Sequence, residues 1–258
     1  MRLRYAGTCY ECGTALSPGT ETIYDRTTKT VHCVECPSET TDAPSDSGTA
    51  GASARREHER RKTTREERIR ADHPKLGGLI LALTDDPQST RAWERGAIGE
   101  EIMGNRLADL SESFRVLHDR RIPGTRANID HIVVGPTGVW VIDAKRYKDR
   151  RPSLHVEGGI IRPRVESLRI GGRDGTKLVD GMRGQVEKVA SVSGEGVPVM
   201  GVLCFVEADW PMIGGSFRVN DVEVVWPRLL VKRITEASTV PIDVDAVHAR
   251  LAAHFPMA

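Results

Sequence analysis

"RANIDHIVVGPTGVWVIDAKRYK", residues 126–148, holds two apolar runs of strand-forming residues separated by a Gly-Pro-Thr-Gly turn. Val139, Trp140, Val141 and Ile142 have high strand propensity, and so do Ile132, Val133 and Val134. A hairpin follows, with 135–138 as its loop. Each strand is then interrupted at its far end by charge, Asp130 in the first and Asp143 and Lys145 in the second. Unpaired charge in a strand built for burial is costly, so these positions need a reason.

Side chains alternate along a strand, which places Val139, Val141, Asp143 and Lys145 on one face and Trp140, Ile142 and Ala144 on the other. Pairing Val134 with Val139 carries down the ladder to Asp130 opposite Asp143. Directly opposed like charges destabilise a sheet unless something neutralises them. A divalent cation does so, and hard ions such as Mg²⁺ or Mn²⁺ take carboxylate and carbonyl oxygens, here with the Ala144 carbonyl as a further ligand. A three-residue loop with Gly138 in a bulge is the alternative register, and it would move Asp130 to the other face.

Outward from the hairpin, "STRAWERGAIGEEIMGNRLADLSES" reads as a helix capped by Ser89 or Thr90. Trp93, Ala97, Gly104 and Leu107 form its apolar stripe. Glu100 falls in that stripe and Glu101 outside it, which makes Glu100 a candidate for the ion site or, alternatively, for pairing with a nearby arginine. "FRVLHDRRI" adds a strand before the hairpin and "SLHVEGGIIRP" a possible one after it. "VDGMRGQVEKVASVSG" reads as a helix, "VPVMGVLCFVEA" and "VEVVWPRLLV" as strands, and "DVDAVHARLAAHF" as a closing helix. No dinucleotide or P-loop glycine pattern is present, which weakens nucleotide binding.

The 258 residues allow one sizeable α/β domain plus a small accessory unit. A hydrophobic fraction of 39% and a formal charge of +1 fit a soluble globular chain and implicate no partner by themselves. With no apolar run long enough for a membrane span and no signal-peptide core, a cytoplasmic location is expected. Locally, Arg115, Arg120, Arg121, Arg126, Arg146, Lys148, Arg150 and Arg151 make the strand-end region basic. Arg120, Arg121, Arg126, Arg146 and Lys148 are therefore candidates for phosphate contacts, against the alternative of solvated strand ends. His118 and His131 are read as packing or surface residues, and Cys204 as a buried core thiol.

Four of the five cysteines form C-x₂-C-x₂₀-C-x₂-C, from Cys9, Cys12, Cys33 and Cys36. In a reducing compartment this spacing points to structural Zn²⁺ in a closed tetrahedral site, with "TETIYDRTTKTVH" supplying two ribbon strands. The unit, residues 1–37, resembles a zinc ribbon, a class that binds nucleic acid or protein. Residues 38–75 follow as a flexible linker and a basic charged helix. In "RREHERRKTTREERIR", eight Arg or Lys stand against four Glu, which suits either a solvated spacer or a phosphate contact.

"GAIGEE", "RANIDHIVVGPTGVWVIDAKRYK" and "RGQVEKV" resemble the nuclease-related domain, a branch of the PD-(D/E)xK nuclease-like superfamily, from about Arg91 to about Val231. The resemblance implies a restriction-endonuclease-like α/β core over 76–258, a central mixed sheet flanked by helices. It also implies Mg²⁺- or Mn²⁺-dependent hydrolysis of phosphodiesters in DNA, or alternatively in RNA, or a DNA-binding protein that keeps the fold without the activity. Carried over residue by residue, Glu100, Asp130 and Asp143 are similar to the family's metal ligands. Lys145 corresponds to the charge that positions water or phosphate, and Gln185 to a supporting residue. Asp143 stands where glutamate is commoner.

Overall fold

The computed structural model describes residues 2–9, 15–25, 30–33, 47–74, 76, 78, 81, 87–159, 162–212, 215–236 and 241–258. Two compact units divide the chain, Met1–Asp46 and Ser47–Ala258. In the first, β1 (Gly7–Thr8) pairs antiparallel with β2 (Ala15–Leu16), and β3 (Thr22–Asp25) with β4 (Thr30–Cys33). Cys9 is buried directly after β1. Cys33 ends β4, while Cys12 and Cys36 lie outside the described residues.

The second unit opens with helix α1 (Ala52–Asp72), so the expected linker-and-helix segment 38–75 is divided between the two units. Only Ala54 of α1 is buried, and the helix has no apolar stripe. Its turns are instead held by Glu57 with Arg60 at 2.8 Å and Arg61 at 2.5 Å, pairs at helical spacing. It is docked and does not act as a free spacer. Arg55 pairs with Glu101 at 3.3 Å, His58 Nδ1 lies 3.1 Å from the Thr90 carbonyl, and the Arg61 guanidinium sits 5.7 Å from the Trp93 ring centre. All three partners belong to α2 (Gln88–Leu107). Trp93 therefore faces α1 and solvent, not the sheet as its place in the stripe suggests. Neither Ser89 nor Thr90 caps α2, since the helix begins one residue after Pro87 and Thr90 is buried within it.

The main sheet has six strands in the order β12-β13-β11-β7-β6-β5. β5 (Arg115–Arg121), β6 (Asn128–Gly135) and β7 (Gly138–Arg146) form an antiparallel meander. β11 (Val199–Val206) joins β7 in parallel through the crossover helix α3 (Thr176–Ser193), and β13 (Val222–Val225) joins β11 in parallel. β12 (Phe217–Val219) closes that edge antiparallel. A second sheet of β8 (Pro152–Glu157), β9 (Val165–Ile170) and β10 (Arg173–Asp174) stands between β7 and α3 in the chain. "VEVVWPRLLV" is not one strand. It breaks at Trp226, and Pro227 opens helix α4 (Pro227–Glu236), where the missing amide of a first helical residue costs nothing.

Strand alternation sorts the core into two layers. Val139 and Val141 pack with Val179, Met182 and Val189 of α3 and with Leu251 of α5 (Val244–His254). Trp140, Ile142 and Ala144 pack with Met103 and Leu107 of α2 and Leu230 and Ile234 of α4. Helices thus cover both faces of a mixed sheet, the layered plan of an α/β domain.

Candidate active site

The hairpin register is the one that brings Asp130 towards Asp143. Val134 pairs with Val139 and His131 with Ile142 around a two-residue loop, Pro136 and Thr137. Gly138 has φ +108, and a Cβ there would stand 2.8 Å from the Pro198 carbonyl oxygen, so no other residue fits without a shift. Thr137 secures the loop by donating to the Ile234 carbonyl at 2.9 Å and accepting from Trp140 Nε1 at 3.1 Å.

The β6–β7 ladder ends at His131 and Ile142. Just beyond, Asp130 Oδ2 accepts the Ala144 N–H at 2.9 Å, so a side chain takes the role of a strand partner where the strands part. Asp130 and Asp143 lie within hydrogen-bond reach of each other. Asp143 is 8% exposed, and the Lys145 ammonium stands 2.5 Å from its Oδ1. The ion pair with Lys145 thus meets the buried Oδ1.

Helix α2 delivers Glu100 to the same place. A Cβ on its neighbour Gly99 would lie 3.1 Å from Arg146 Cβ, so a bare Cα at 99 lets the helix come close to the end of β7. Glu100 lines a cleft of about 490 Å³ together with Asp119, Asp130, Lys145, Arg126 and Tyr147.

Crowded and buried together, Glu100 and Asp130 hold their protons more tightly than free carboxyls do. Burial, then Asp119 and Asp143, push the Glu100 carboxyl up to about 7 against the pull of Lys145 and Arg55. Burial, then Asp143 and Glu100, hold Asp130 well above the usual carboxylate range. For Lys145 burial disfavours the charge, but Asp143 and Asp130 outweigh it and keep its pKa above the usual lysine value.

An oxygen-only donor set suits a hard divalent cation. Among the described residues, however, no three Asp, Glu, His or Cys side chains stand as a ready-made ligand group. The reason is local: Asp143 is turned onto Lys145 and Asp130 onto the Ala144 amide. Loading an ion requires these contacts to loosen.

Gln185 sits one layer back. It donates from Nε2 to the Asn128 carbonyl at 3.5 Å, while its Oε1 is buried without a partner. Asn128 in turn lines the cleft. Of the basic candidates, Arg126 and Arg146 line the cleft and Arg121 and Lys148 are exposed. Arg146 is engaged by Glu207 at 2.5 Å. Arg120 is only 4% exposed and is unsuited to a phosphate contact as positioned, because its side chain turns into the protein from β5.

Asp119 is a residue that sequence reasoning missed. With φ 50 and 4% exposure, it lies next to Asn128 and accepts from Ser53 N at 2.6 Å, Ser53 Oγ at 2.7 Å and Asn128 Nδ2 at 3.2 Å. Strand alternation does not reveal it, because Arg120 beside it is buried and Arg121, in its own phase, is exposed.

The mixed sheet between helices fits a nuclease-like α/β core. Residues 95–206 match the family model of the nuclease-related domain, NERD. The match is shorter at both ends than the resemblance read from the sequence, and it includes Glu100, Asp130, Asp143, Lys145 and Gln185 while leaving out α1, α4 and α5. No curated protein and no solved structure matches the chain.

Proposed function

We propose that the chain is a metal-dependent nuclease that hydrolyses phosphodiester bonds in DNA. The observation that carries this reading is the gathering of Glu100, Asp130 and Lys145 at one cleft, with Asp143 held against Lys145, within the residues that match the nuclease-related domain. Glu100, Asp130, Asp143 and the Ala144 carbonyl would hold Mg²⁺ or Mn²⁺. The ion would supply Lewis-acid activation of water and charge compensation at the phosphate.

The chain's own groups do the rest. Lys145, fixed beside Asp143, presents positive charge where negative charge grows on the phosphate. Arg126 at the cleft mouth attracts the flanking backbone. Gln185 acts through Asn128 and is a positioning residue. The second reading, a DNA-binding protein that keeps the fold without hydrolysis, is favoured by one observation: Asp130 and Asp143 are already engaged by Ala144 and Lys145.

Incubating purified protein with DNA and RNA under Mg²⁺ or Mn²⁺ separates these readings. Cleavage of DNA is expected, with Asp143→Ala and Lys145→Ala each reducing the rate by roughly 10²-fold or more. No cleavage, or equal cleavage by both variants, rejects the hydrolase; faster cleavage of RNA moves the substrate. The four N-terminal cysteines are proposed to bind structural Zn²⁺, making residues 1–37 an accessory module for nucleic acid or protein.

A further inference from the structure

Beside the acidic cleft lies a second groove of about 410 Å³, walled by Arg56, Arg60, Arg121 and Arg126 with Glu57 among them. The two depressions share Ser53, Arg126 and Asn128, so one runs into the other. Arg121 and Arg126 are exposed, and among the described residues neither has an acidic partner. Arg60 is forked on Glu57, with Nε and Nη2 both at 2.8 Å, yet its side chain remains 66% exposed. Arg56 donates to an oxygen of Ala258, which also lines the groove.

Four guanidiniums thus line the groove; Arg56 and Arg60 are engaged by Ala258 and Glu57, which leaves Arg121 and Arg126 open to a ligand. Arg56 and Arg60 lie one helical turn apart on the same side of α1, about 6 Å along its axis. The first turn of α1 is pinned to the sheet by the Ser53–Asp119 hydrogen bonds, so the basic wall has a fixed place beside the cleft.

We propose that this groove is a second phosphate-binding site that carries the DNA backbone away from the acidic cleft, along the first two turns of α1. The proposal deepens the nuclease reading and rests on it for the class of ligand. It assigns a substrate-binding role to a helix outside the residues that match the nuclease-related domain. The groove's lining is polar and basic and offers none of the aromatic or aliphatic anchors on which a protein partner's interface core is built. Arginine is suited to the task because its planar fork meets phosphate oxygens in pairs.

Binding of labelled duplex DNA, single-stranded DNA and RNA to the full chain, followed by fluorescence anisotropy without added divalent cation, tests this apart from catalysis. Arg60→Gln, Arg121→Gln and Arg126→Gln are each expected to weaken DNA binding about 3- to 10-fold at low salt. Each should also reduce the slope of log affinity against log salt on the duplex by about 0.9. Arg68→Gln, an exposed change further along α1, should leave both unchanged.

The proposal is overturned if the groove variants bind as the parent does, if Arg68→Gln costs as much as they do, or if the parent binds no DNA. Tighter binding of RNA than of either DNA overturns the DNA assignment. Absence of cleavage with groove-dependent binding intact would reject the hydrolase and leave the groove standing.

Discussion

His118 and His131 touch through Nδ1 and Nδ1 at 2.8 Å, with their rings nearly perpendicular beneath α2. One nitrogen must donate and the other accept, so only one of the two carries a proton there. Burial, then Arg120, lowers His118 to about 4, with Asp119 working against the shift; burial, then His118, holds His131 well below 6.5. Both folded values lie below the unfolded one. Their contribution to stability is therefore intact above about 6.5 and is lost as pH falls towards 4. For His118 the loss is on the order of 2 kcal/mol once its partial exposure is discounted. Calorimetric melting between about pH 7 and 4.5 should show a steeper acid loss in the parent than in His118→Asn, and parallel curves would refute the assignment. These histidines read as bland packing residues in sequence because the contact between them depends on a pairing across strands. Asp130 and Asp143 were legible for the opposite reason: each interrupts an apolar run, and one hairpin register relates them. Asp119 was hidden in "LHDRRI", where a charged residue among charged neighbours asks for no explanation. Arg120 misleads in the same segment, since a run of basic residues does not reveal which one turns inward.

Helix α1 shows what sequence pattern leaves out at the scale of elements. Its charge spacing predicts a polar helix, and a polar helix forms. Its docking is carried by Arg55–Glu101, His58 on Thr90 and Arg61 over Trp93, none of which leaves an apolar stripe to read. The strongest tie is Ser53 to Asp119, which crosses from the helix to β5. Ser53→Ala keeps the main-chain donor but removes the hydroxyl from a buried carboxylate, and the expected cost is about 1–2 kcal/mol. Urea unfolding of the full chain should show a lower midpoint at an unchanged slope. A midpoint equal to the parent's would mean that α1 is held elsewhere. At the other end of the domain, Val222 to Val231 reads as one apolar strand because strand and helix both bury apolar residues. Pro227 and the switch to a four-residue spacing, with Leu230 and Ile234 buried, mark the turn from β13 into α4.

At the scale of the whole molecule, the two units differ in what can hold them together. The second has an apolar core on both faces of its main sheet. Among the described residues of the first, the buried apolar side chains are Cys9 and Leu16, and a chain this short has little apolar surface to set against the entropy of ordering it. A metal staple is the usual remedy at this size, and four thiols at knuckle spacing are its chemistry. Cys9 follows β1 directly, Cys33 ends β4, and β1 lies against β4, so the two cysteines whose backbone is described stand at the ends of neighbouring strands. Metal analysis of the purified chain should therefore find about one zinc per molecule, and Co²⁺ exchanged into it should give thiolate charge-transfer absorption. Because binding energy is folding energy in such a unit, chelation should open residues 1–46 to protease while the melting of 47–258 is unaltered. Cys33→Ser should reproduce that opening without chelator. A chain that holds no zinc, or whose N-terminal unit resists protease equally with and without chelator, would show that something other than metal holds the unit together.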